Sequence, residues 1–237
     1  MIQNQKLIAG IQSGEIKGKD ITRWKYQRYI KDYLRTIKAV DENVGRLLQY
    51  LDDSGLSENT IVIYSSDQGF YLGEHGWYDK RWMFEESLAM PFLIRWPGVI
   101  PKGSKSKTLI QNIDYAPTFL ELAGAKVPKK MQGKSLLKAF KNPSKAPEGW
   151  RESIYYAYYG ERTHRVAKHD GVRTETHKLI HFPNTKEWNL FDLENDPQEM
   201  NSIHNKPEYQ KALNSLKEIY SESKRKYAAN SATIPAH

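Results

Sequence analysis

Residues 60–97 constrain the fold of this chain more than any other stretch. They begin with a run of four apolar side chains at 61–64 and close with a second apolar run at 92–94. Between the runs lie glycines and several polar or charged side chains, namely Glu74, His75, Asp79, Lys80 and Arg81. A consecutive apolar run is typical of a strand covered on both faces, and polar groups that follow such a strand are typical of a site at the carboxyl edge of an α/β sheet. The pattern therefore predicts an α/β domain with a polar site in this loop.

The composition excludes several classes of protein. The chain has 237 residues, enough for one large domain or for a domain with a smaller companion. The absence of cysteine excludes disulfides, cysteine metal sites and a thiol nucleophile. No apolar run approaches the roughly 18 residues of a transmembrane helix, and the first 20 residues lack the apolar core of a signal peptide. We therefore expect no membrane span.

The chain carries a formal charge of +8, from 36 Lys and Arg against 28 Asp and Glu. A basic surface attracts nucleic acid, anionic membranes or acidic glycans. The densest basic cluster, at residues 102–107, includes glycine and serine, so it is either a solvated loop or a surface turned toward a polyanionic substrate. Because no nucleic-acid-binding motif or concentrated basic stripe is evident, we expect no nucleic-acid partner.

The apolar pattern before residue 60 predicts one long helix. Residues 1–20 have no clear period and are expected to form a poorly ordered lead-in. From Tyr26 to Leu51, apolar side chains recur mostly every three or four residues, as on one face of an amphipathic helix. Asp20 is the expected N-cap, and Gly55 lies at the expected stop.

After the lead-in, the chain is expected to form two domains, the first of which includes the long helix. Residues 21–145 are assigned to the main α/β domain, residues 146–227 to a C-terminal α+β subdomain, and residues 228–237 to a disordered tail. Four short strands at regular spacing in the subdomain predict a small antiparallel sheet. A last amphipathic helix, at about 207–227, is expected to pack on that sheet.

Asp67 and Gln68 directly follow the first apolar run. Carboxylate and amide oxygens are the ligands that a hard cation such as Ca²⁺ or Mg²⁺ takes, and Gly69 permits a turn that aims both at one ion. Two donors do not fill a shell of about six or more ligands. From the residues alone, this tripeptide is therefore either part of a metal site or a plain polar turn.

Lys80 and His75 are the other candidates in the loop. The lysine is either a point charge that holds an anionic oxygen or a solvated side chain. The histidine is either an acid, base or anion donor, or a loop residue bonded to a neighbouring backbone group. Three aromatic side chains either stack on a sugar ring or close the core: Trp77, Tyr78 and Trp82.

Ordered motifs occur across roughly residues 20–205: VDENVGRLL at 40–48, YSSDQG at 64–69, LGEHG at 72–76, DK at 79–80, PFLIRWPG at 91–98, DYAPT at 114–118, GVRTE at 171–175 and LFDLENDP at 190–197. Together they resemble the sulfatase family of the alkaline-phosphatase-like superfamily. Bacterial sulfatases of glycosaminoglycans or mucin glycans, including N-acetylglucosamine-6-sulfatases, look most similar. The resemblance implies an α/β fold, as part of an alkaline-phosphatase-like α/β sandwich with a small C-terminal antiparallel sheet packed by a helix. The activity it implies is sulfuric ester hydrolysis on sulfated glycans.

The resemblance also implies roles for the residues that match the family's motifs. Asp67 and Gln68 occupy the positions that bind a divalent cation, usually calcium. Lys80 matches the lysine that holds a sulfate oxygen, and His75 lies in the matching Gly-Glu-His-Gly as a second catalytic candidate. Three side chains in the part of the family that often closes over the substrate are the substrate-binding candidates: Arg165, His169 and Arg173.

The chain departs from the family at the nucleophile. Sulfatases use a formylglycine made from the first residue of a Cys/Ser-x-Pro-x-Arg motif, and this sequence contains no cysteine and no Ser-x-Pro-x-Arg. The family's first pair of metal-binding aspartates also has no counterpart. We therefore expect the C-terminal portion of a sulfatase, inactive alone, which needs an N-terminal half as its partner. By resemblance, its location is periplasmic or extracellular.

Two alternatives stay open at this point. One is a phosphodiesterase or phosphonate hydrolase of the same superfamily. The other is a noncatalytic remnant that binds sulfated glycans through its basic surface.

Overall fold

A computed structural model describes the chain at residues 2–160, 164 and 166–228. The chain divides into two compact units, Met1–Thr60 and Ile61–His237. This division differs from the boundary near residue 145 that the sequence pattern predicts. Each unit is described by itself below.

Two helices make up most of the first unit. α1 spans Ile2–Gln12 and α2 spans Lys19–Asp53, and a single 3₁₀ turn follows at Ser57–Asn59. The lead-in expected to be poorly ordered is therefore helical over most of its length. Its weak periodicity hides this helix, because α1 has little separation of apolar and polar faces.

The ends of α2 lie close to their predicted positions. The residue before the helix is Gly18, with a φ of 52°, and Asp20 lies in the first turn rather than at the N-cap. At the other end, the Ser54 N–H donates to the Tyr50 carbonyl at 3.0 Å. Gly55 follows with a left-handed φ of 68°, a conformation that favours glycine and stops the helix.

α2 carries an apolar stripe but contains no buried residue. Leu34 and Leu47 on this helix are 55% and 54% exposed. A stripe of this kind belongs against another apolar surface, and the described residues of the first unit do not supply one.

The second unit begins with a two-stranded antiparallel sheet. β1, Val62–Ser65, pairs with β2, Phe92–Arg95, in a register that places Ile63 opposite Ile94. The two strands were predicted within one residue. The prediction that the strand is covered on both faces is wrong within the described chain, because Tyr64 is 38% exposed and Leu93 on its partner strand is 65% exposed.

The second unit also has three short helices, one in the loop between β1 and β2 and two between β2 and the next sheet. α3 spans Glu85–Leu88, α4 spans Tyr115–Leu122 and α5 spans Leu137–Lys141. Pro117 lies in the first turn of α4, where its missing N–H breaks no helical hydrogen bond. α5 is a helix of five residues.

A buried ion pair joins the segments on both sides of residue 145. Asp114 has no exposed surface, and its carboxylate accepts two hydrogen bonds from the Arg151 guanidinium, at 2.5 and 2.6 Å. The backbone N–H groups of Gln111 and Lys134 donate to the same carboxylate at 2.8 Å each. The Asp114 carboxylate thus links segments on both sides of the predicted boundary through charge-assisted hydrogen bonds.

Four strands form an antiparallel sheet in sequence order. They are β3 at Ser153–Tyr158, β4 at His169–Thr174, β5 at His177–Phe182 and β6 at Glu187–Asp192. α6, Gln210–Ala228, packs on one face through Leu213, Leu216 and Tyr220. The predicted small sheet packed by a helix is confirmed. From residue 229 onward the predicted tail lies outside the described residues.

The opposite face of this sheet packs on the loop that follows β1. Met83 from the loop is fully buried against Ile180 and Phe191. Gly171 permits this contact, because a Cβ on that residue would lie 2.8 Å from the Met83 sulfur. The Tyr156 hydroxyl also donates to the Arg81 carbonyl at 2.8 Å. The polar loop is therefore packed on the face of the sheet opposite α6.

Candidate functional site

The first turn of the polar loop is held against α3. The Gly69 N–H donates to the Ser87 carbonyl at 2.9 Å. A Cβ on Gly69 would lie 2.1 Å from the Glu86 carbonyl oxygen, so no other residue fits without moving the backbone. The glycine is needed for this close approach rather than for a left-handed turn, which differs from the reason expected from the sequence.

Asp67 and Gln68 lie at the end of β1, as predicted. The Asp67 side chain is exposed, and its Oδ1 accepts a hydrogen bond from the Ser66 hydroxyl at 3.3 Å. The Gln68 amide nitrogen donates to the Lys80 carbonyl and to the Ser87 hydroxyl. Because the nitrogen is used in this way, the side-chain oxygen is the atom of Gln68 that could serve as a cation ligand.

Lys80 is joined to Gln68 through its own backbone. Its carbonyl accepts from the Gln68 amide and, at 2.7 Å, from the Ser87 hydroxyl. Its N–H donates to Asp79 Oδ1 at 2.7 Å, and Asp79 also pairs with Arg81. The structure thus brings the proposed cation ligand and the proposed sulfate lysine onto one hydrogen-bonded unit, although 12 residues separate them in sequence.

His75 is packed between aromatic rings. Its backbone is left-handed, with a φ of 53°, and its ring stacks on Phe84 with centroids 4.4 Å apart. Tyr71 approaches edge-on at 6.1 Å, and the Nε2 atom lies 3.5 Å from a Glu86 carboxylate oxygen. With its side chain only 12% exposed, His75 holds the loop in shape, and its catalytic role stays a prediction.

Two of the three substrate-binding candidates, His169 and Arg173, form contacts within the protein. His169 has no exposed surface, its Nδ1 lies 2.8 Å from the Ala167 carbonyl, and its ring stacks on Trp82. Burial lowers the pKa of His169, which favours the neutral imidazole. Arg173 forms hydrogen bonds to both Glu85 carboxylate oxygens. Arg165 lies outside the described residues.

The three aromatic residues of the loop divide between the two predicted roles. Trp82 stacks on His169 with ring centroids 5.0 Å apart and so belongs to the packed interior. Trp77 and Tyr78 are 38% and 51% exposed. Of Trp77, Tyr78 and Trp82, the first two are therefore exposed enough to contact a ligand.

A buried lysine fixes α3 to the sheet. Lys178 Nζ lies 2.8 Å from a Glu85 oxygen and 2.7 Å from a Glu199 oxygen. Burial raises the pKa of Glu85. The Lys178 ammonium and the Arg173 guanidinium lower this pKa by more than burial raises it, so the net pKa lies below its usual value. Burial raises the pKa of Glu199 by more than Lys178 lowers it.

The donors in this chain suit a hard cation but do not complete its shell. Asp67 offers a carboxylate and Gln68 an amide oxygen, the chemistry that calcium prefers. Within the described part of the chain, no cluster of three or more His, Cys, Asp or Glu has metal-binding geometry. The residues therefore fit a cation as part of its shell, with the remaining ligands coming from elsewhere.

Two contributing residues were not assigned a role from the sequence. Ser87, only 2% exposed, bonds both Gln68 and Lys80, and the Asn112 amide donates to the Asp67 carbonyl at 3.4 Å. Ser87 stands at the end of the EES stretch within the polar region, but nothing in the spacing shows that it reaches Lys80. Asn112 is 45 residues from Asp67, and no local pattern indicates this contact.

Two family models match this chain. The model described as sulfatase matches residues 6–125, and the model described as the C-terminal part of N-sulphoglucosamine sulphohydrolase matches residues 73–226. Each covers at least half of the chain. The chain belongs to the sulfatase family.

Curated sulfatases match over nearly all of this chain but over less than half of their own lengths. An N-acetylglucosamine-6-O-sulfatase of Bacteroides thetaiotaomicron is 49% identical over 94% of this chain and 40% of the relative. An arylsulfatase of Clostridium perfringens is 30% identical over 89% of this chain and 44% of the relative. The expected family and the partial coverage of a full sulfatase are thus both confirmed.

Solved sulfatase structures share the fold. A structure reported in complex with its substrate D-glucosamine-2-N,6-O-disulfate superimposes with a TM-score of 0.89 at 48% identity, over 95% of this chain and 46% of that one. A phosphonate monoester hydrolase of Agrobacterium radiobacter superimposes with a TM-score of 0.68 at 24% identity, which shows a common fold only. The predicted fold class is confirmed.

Proposed function

We propose that this chain forms the C-terminal portion of a sulfatase that hydrolyses sulfate esters on glucosamine-containing glycans. The observation that carries the proposal is the hydrogen bond from the Gln68 amide to the Lys80 carbonyl, which joins a cation ligand to a sulfate-holding lysine. The substrate class is supported by the 49% identity to an N-acetylglucosamine-6-O-sulfatase. It is also supported by the solved neighbour in complex with a disulfated glucosamine.

In this proposal Asp67 and Gln68 hold a divalent cation, calcium by preference, through their side-chain oxygens. When bound, the cation supplies charge that polarises the sulfate group. The Lys80 ammonium neutralises negative charge on the sulfate oxygens as it builds up in the transition state. His75, packed on Phe84 and close to Glu86, keeps the glycine-rich loop in the shape that presents Lys80.

The nucleophile is proposed to come from a segment that these 237 residues do not contain. The sequence has no cysteine and no Ser-x-Pro-x-Arg motif, so it cannot supply the formylglycine of the family. The chain also spans only 40% of its curated relative. A partial cation site and a lysine without a nucleophile cannot complete the displacement, so we expect the chain alone to be inactive.

The proposal is tested by complementation. The purified chain is assayed on N-acetylglucosamine-6-sulfate alone and after co-expression with the first part of the Bacteroides thetaiotaomicron relative and a formylglycine-generating system. We expect sulfate release only from the combination, with a loss of at least about 100-fold for Lys80→Ala. Hydrolysis by the chain alone, or a combination that cleaves a phosphonate monoester better than the sulfate ester, would overturn it.

The location of the protein is proposed from its relatives. Among the described residues, no helix combines the length and apolar character needed to cross a bilayer. One relative, from Drosophila melanogaster, is named an extracellular sulfatase and is 36% identical over 54% of this chain. We propose a periplasmic or extracellular location, which fractionation of the native cells would check.

A further inference from the structure

Four of the six residues that line a cleft within the first unit are cationic. It encloses about 390 Å³ between α1 and the first half of α2. Its lining consists of one aromatic, one amide and four basic residues, namely Lys6, Trp24, Gln27, Arg28, Lys31 and Arg35. This volume falls within the range of about 300–1,000 Å³ that is usual for ligand pockets.

Helical spacing gathers these side chains on one face of α2. Trp24, Arg28, Lys31 and Arg35 follow one another at intervals of four, three and four residues, which places them on one side of a helix. Lys6 adds a cation from α1. The sequence alone does not show this cluster, because the basic residues are interrupted by apolar ones and the last cation comes from another helix.

The cleft carries an excess of positive charge. Asp32 is the neighbouring carboxylate, and it pairs with Arg28 at 2.8 Å and with Arg35 at 2.5 Å. In the described part of the chain, Lys6 and Lys31 form no ion pair within 4.0 Å. Four cations line the cleft, and the ion pairs described there involve one carboxylate, so the cleft attracts anionic ligands.

The neutral groups of the cleft suit a sugar. Trp24 is half-buried and presents a ring edge or face to the cleft, and aromatic faces pack well against the apolar side of a pyranose. The Gln27 amide can both donate to and accept from hydroxyl groups. The Arg28 and Arg35 guanidinium groups have the forked geometry that matches the oxygens of a sulfate.

We propose that this cleft binds a sulfated saccharide, as a second glycan-binding site that uses none of the residues of the candidate catalytic loop. The choice of a sulfated saccharide rests on the proposed function, whereas the anionic character of the ligand rests on the cleft itself. Through this site the protein binds a charged glycan chain at a second point, apart from the sugar residue whose sulfate ester is hydrolysed.

The test compares two double variants that remove the same charge. Lys31→Ala/Arg35→Ala removes two cleft cations, and Arg23→Ala/Lys25→Ala removes two exposed cations of the same helix that do not line the cleft. Binding of a heparin-derived tetrasaccharide to the full chain is measured by calorimetry, and circular dichroism checks that both variants keep their helices. We expect roughly tenfold weaker binding for the cleft variant and less than about twofold for the control.

Three further measurements make the outcome decisive. Trp24→Ala is expected to weaken binding as well, and Lys80→Ala measures any share of the binding that belongs to the candidate catalytic loop. Equal losses in the two double variants would overturn the proposal, since binding would then follow net charge alone. Tighter binding of a single-stranded DNA of equal charge would also overturn it. Loss of binding in Lys80→Ala alone would move the ligand to the catalytic loop, which would refute the cleft but leave the proposed sulfatase function standing.

Discussion

At the residue scale, the Lys80 carbonyl is the point on which the candidate site depends. It accepts hydrogen bonds from the Gln68 amide and the Ser87 hydroxyl, so three separate positions of the loop share one oxygen. A carbonyl with two donors fixes the backbone on which the Lys80 side chain is mounted. Ser87, which contacts both partners, therefore acts as a positioning residue rather than as a group that touches substrate.

Ser87→Ala is expected to lower the free energy of unfolding of the second unit. The change removes the donor to the Lys80 carbonyl and a partner of the Gln68 amide at a site that is only 2% exposed, which costs about 1–3 kcal/mol. Urea unfolding followed by tryptophan fluorescence measures the difference.

The matched control is Ser104→Ala, whose hydroxyl donates only to the nearby Pro101 carbonyl in an exposed loop. It should change stability by no more than about 0.5 kcal/mol. Equal effects of the two serine variants would show that the buried hydroxyl does not hold the loop.

Local chemistry predicted the position of these site residues but not their contacts. Asp67 and Gln68 follow a recognisable apolar run, so a polar site at the end of β1 could be expected. The choice between a plain turn and a cation site came from the family resemblance. The bond between Gln68 and Lys80 depends on how a loop of 12 residues folds back, and no periodic pattern encodes that path.

At the scale of elements, α3 and α6 are joined to opposite faces of the four-stranded sheet by buried polar networks. Lys178 of β5 pairs with Glu85 of α3 on one face. Asp170 of β4 accepts hydrogen bonds from Tyr220 and Lys224 of α6 on the other, at 2.9 and 2.7 Å. The sheet thus connects α3, next to the candidate loop, with α6 on its other face.

Lys178→Met is expected to destabilise the second unit by about 3–5 kcal/mol, since it leaves the buried Glu199 carboxyl group without its cationic partner. The double variant Lys178→Met/Glu199→Gln should recover part of the loss, because Glu85 keeps its pair with Arg173. Thermal unfolding of both variants measures this difference. A double variant less stable than the single one would contradict the account.

Asp170→Asn is expected to make the free energy of unfolding depend less on pH in the acid range. Burial raises the pKa of Asp170. The hydrogen bonds that it accepts from Lys224 and Tyr220 lower this pKa by more than burial raises it, so the net pKa is below its usual value. The carboxylate therefore stabilises the folded state fully above its unfolded pKa of about 3.9, and this contribution is lost as the pH falls through the lower folded pKa.

At neutral pH we expect Asp170→Asn to cost about 1–3 kcal/mol, with the gap to the unchanged protein closing below about pH 4. Unfolding free energies measured between pH 7 and pH 2.5 would show this convergence. The exposed Glu208→Gln serves as the control. A gap that stays constant with pH would exclude the carboxylate charge as the cause.

The sequence predicted elements well where they are periodic. The strands of the four-stranded sheet and the final helix lie close to their predicted positions, because alternation and helical spacing encode them locally. α5 has five residues, too few for a helical period to appear. The boundary near residue 145 stays a prediction, and the contact between Asp114 and Arg151 across it is a long-range one that no local pattern indicates.

At the scale of the whole molecule, both units expose apolar side chains that a protein of this size normally covers. They include Leu34, Ile37 and Leu47 on α2 and Leu93 on β2. Exposed apolar faces of this kind mark surfaces that pack against something else. This agrees with a chain that spans 40% of the length of its curated relative.

Leu47→Gln and Leu93→Gln are expected to change the free energy of unfolding by no more than about 0.5 kcal/mol, because these side chains are 54% and 65% exposed. The same variants should reduce the binding of a hydrophobic dye to the purified chain. Leu213→Gln, at a position that is 5% exposed, should cost several times more. Losses at Leu47 or Leu93 as large as at Leu213 would show that these faces are covered in solution.

The shared Lys80 carbonyl has a thermodynamic consequence. A cation that orders the Gln68 side chain also orders the backbone that carries the Lys80 ammonium, through one hydrogen bond. Coupling between two binding events is reciprocal. In the proposed function, a sulfate ester bound by Lys80 therefore tightens cation binding by the same factor by which the cation tightens binding of the ester. Each ligand would thus order part of the loop that the other ligand needs, and the state with both ligands bound would be favoured.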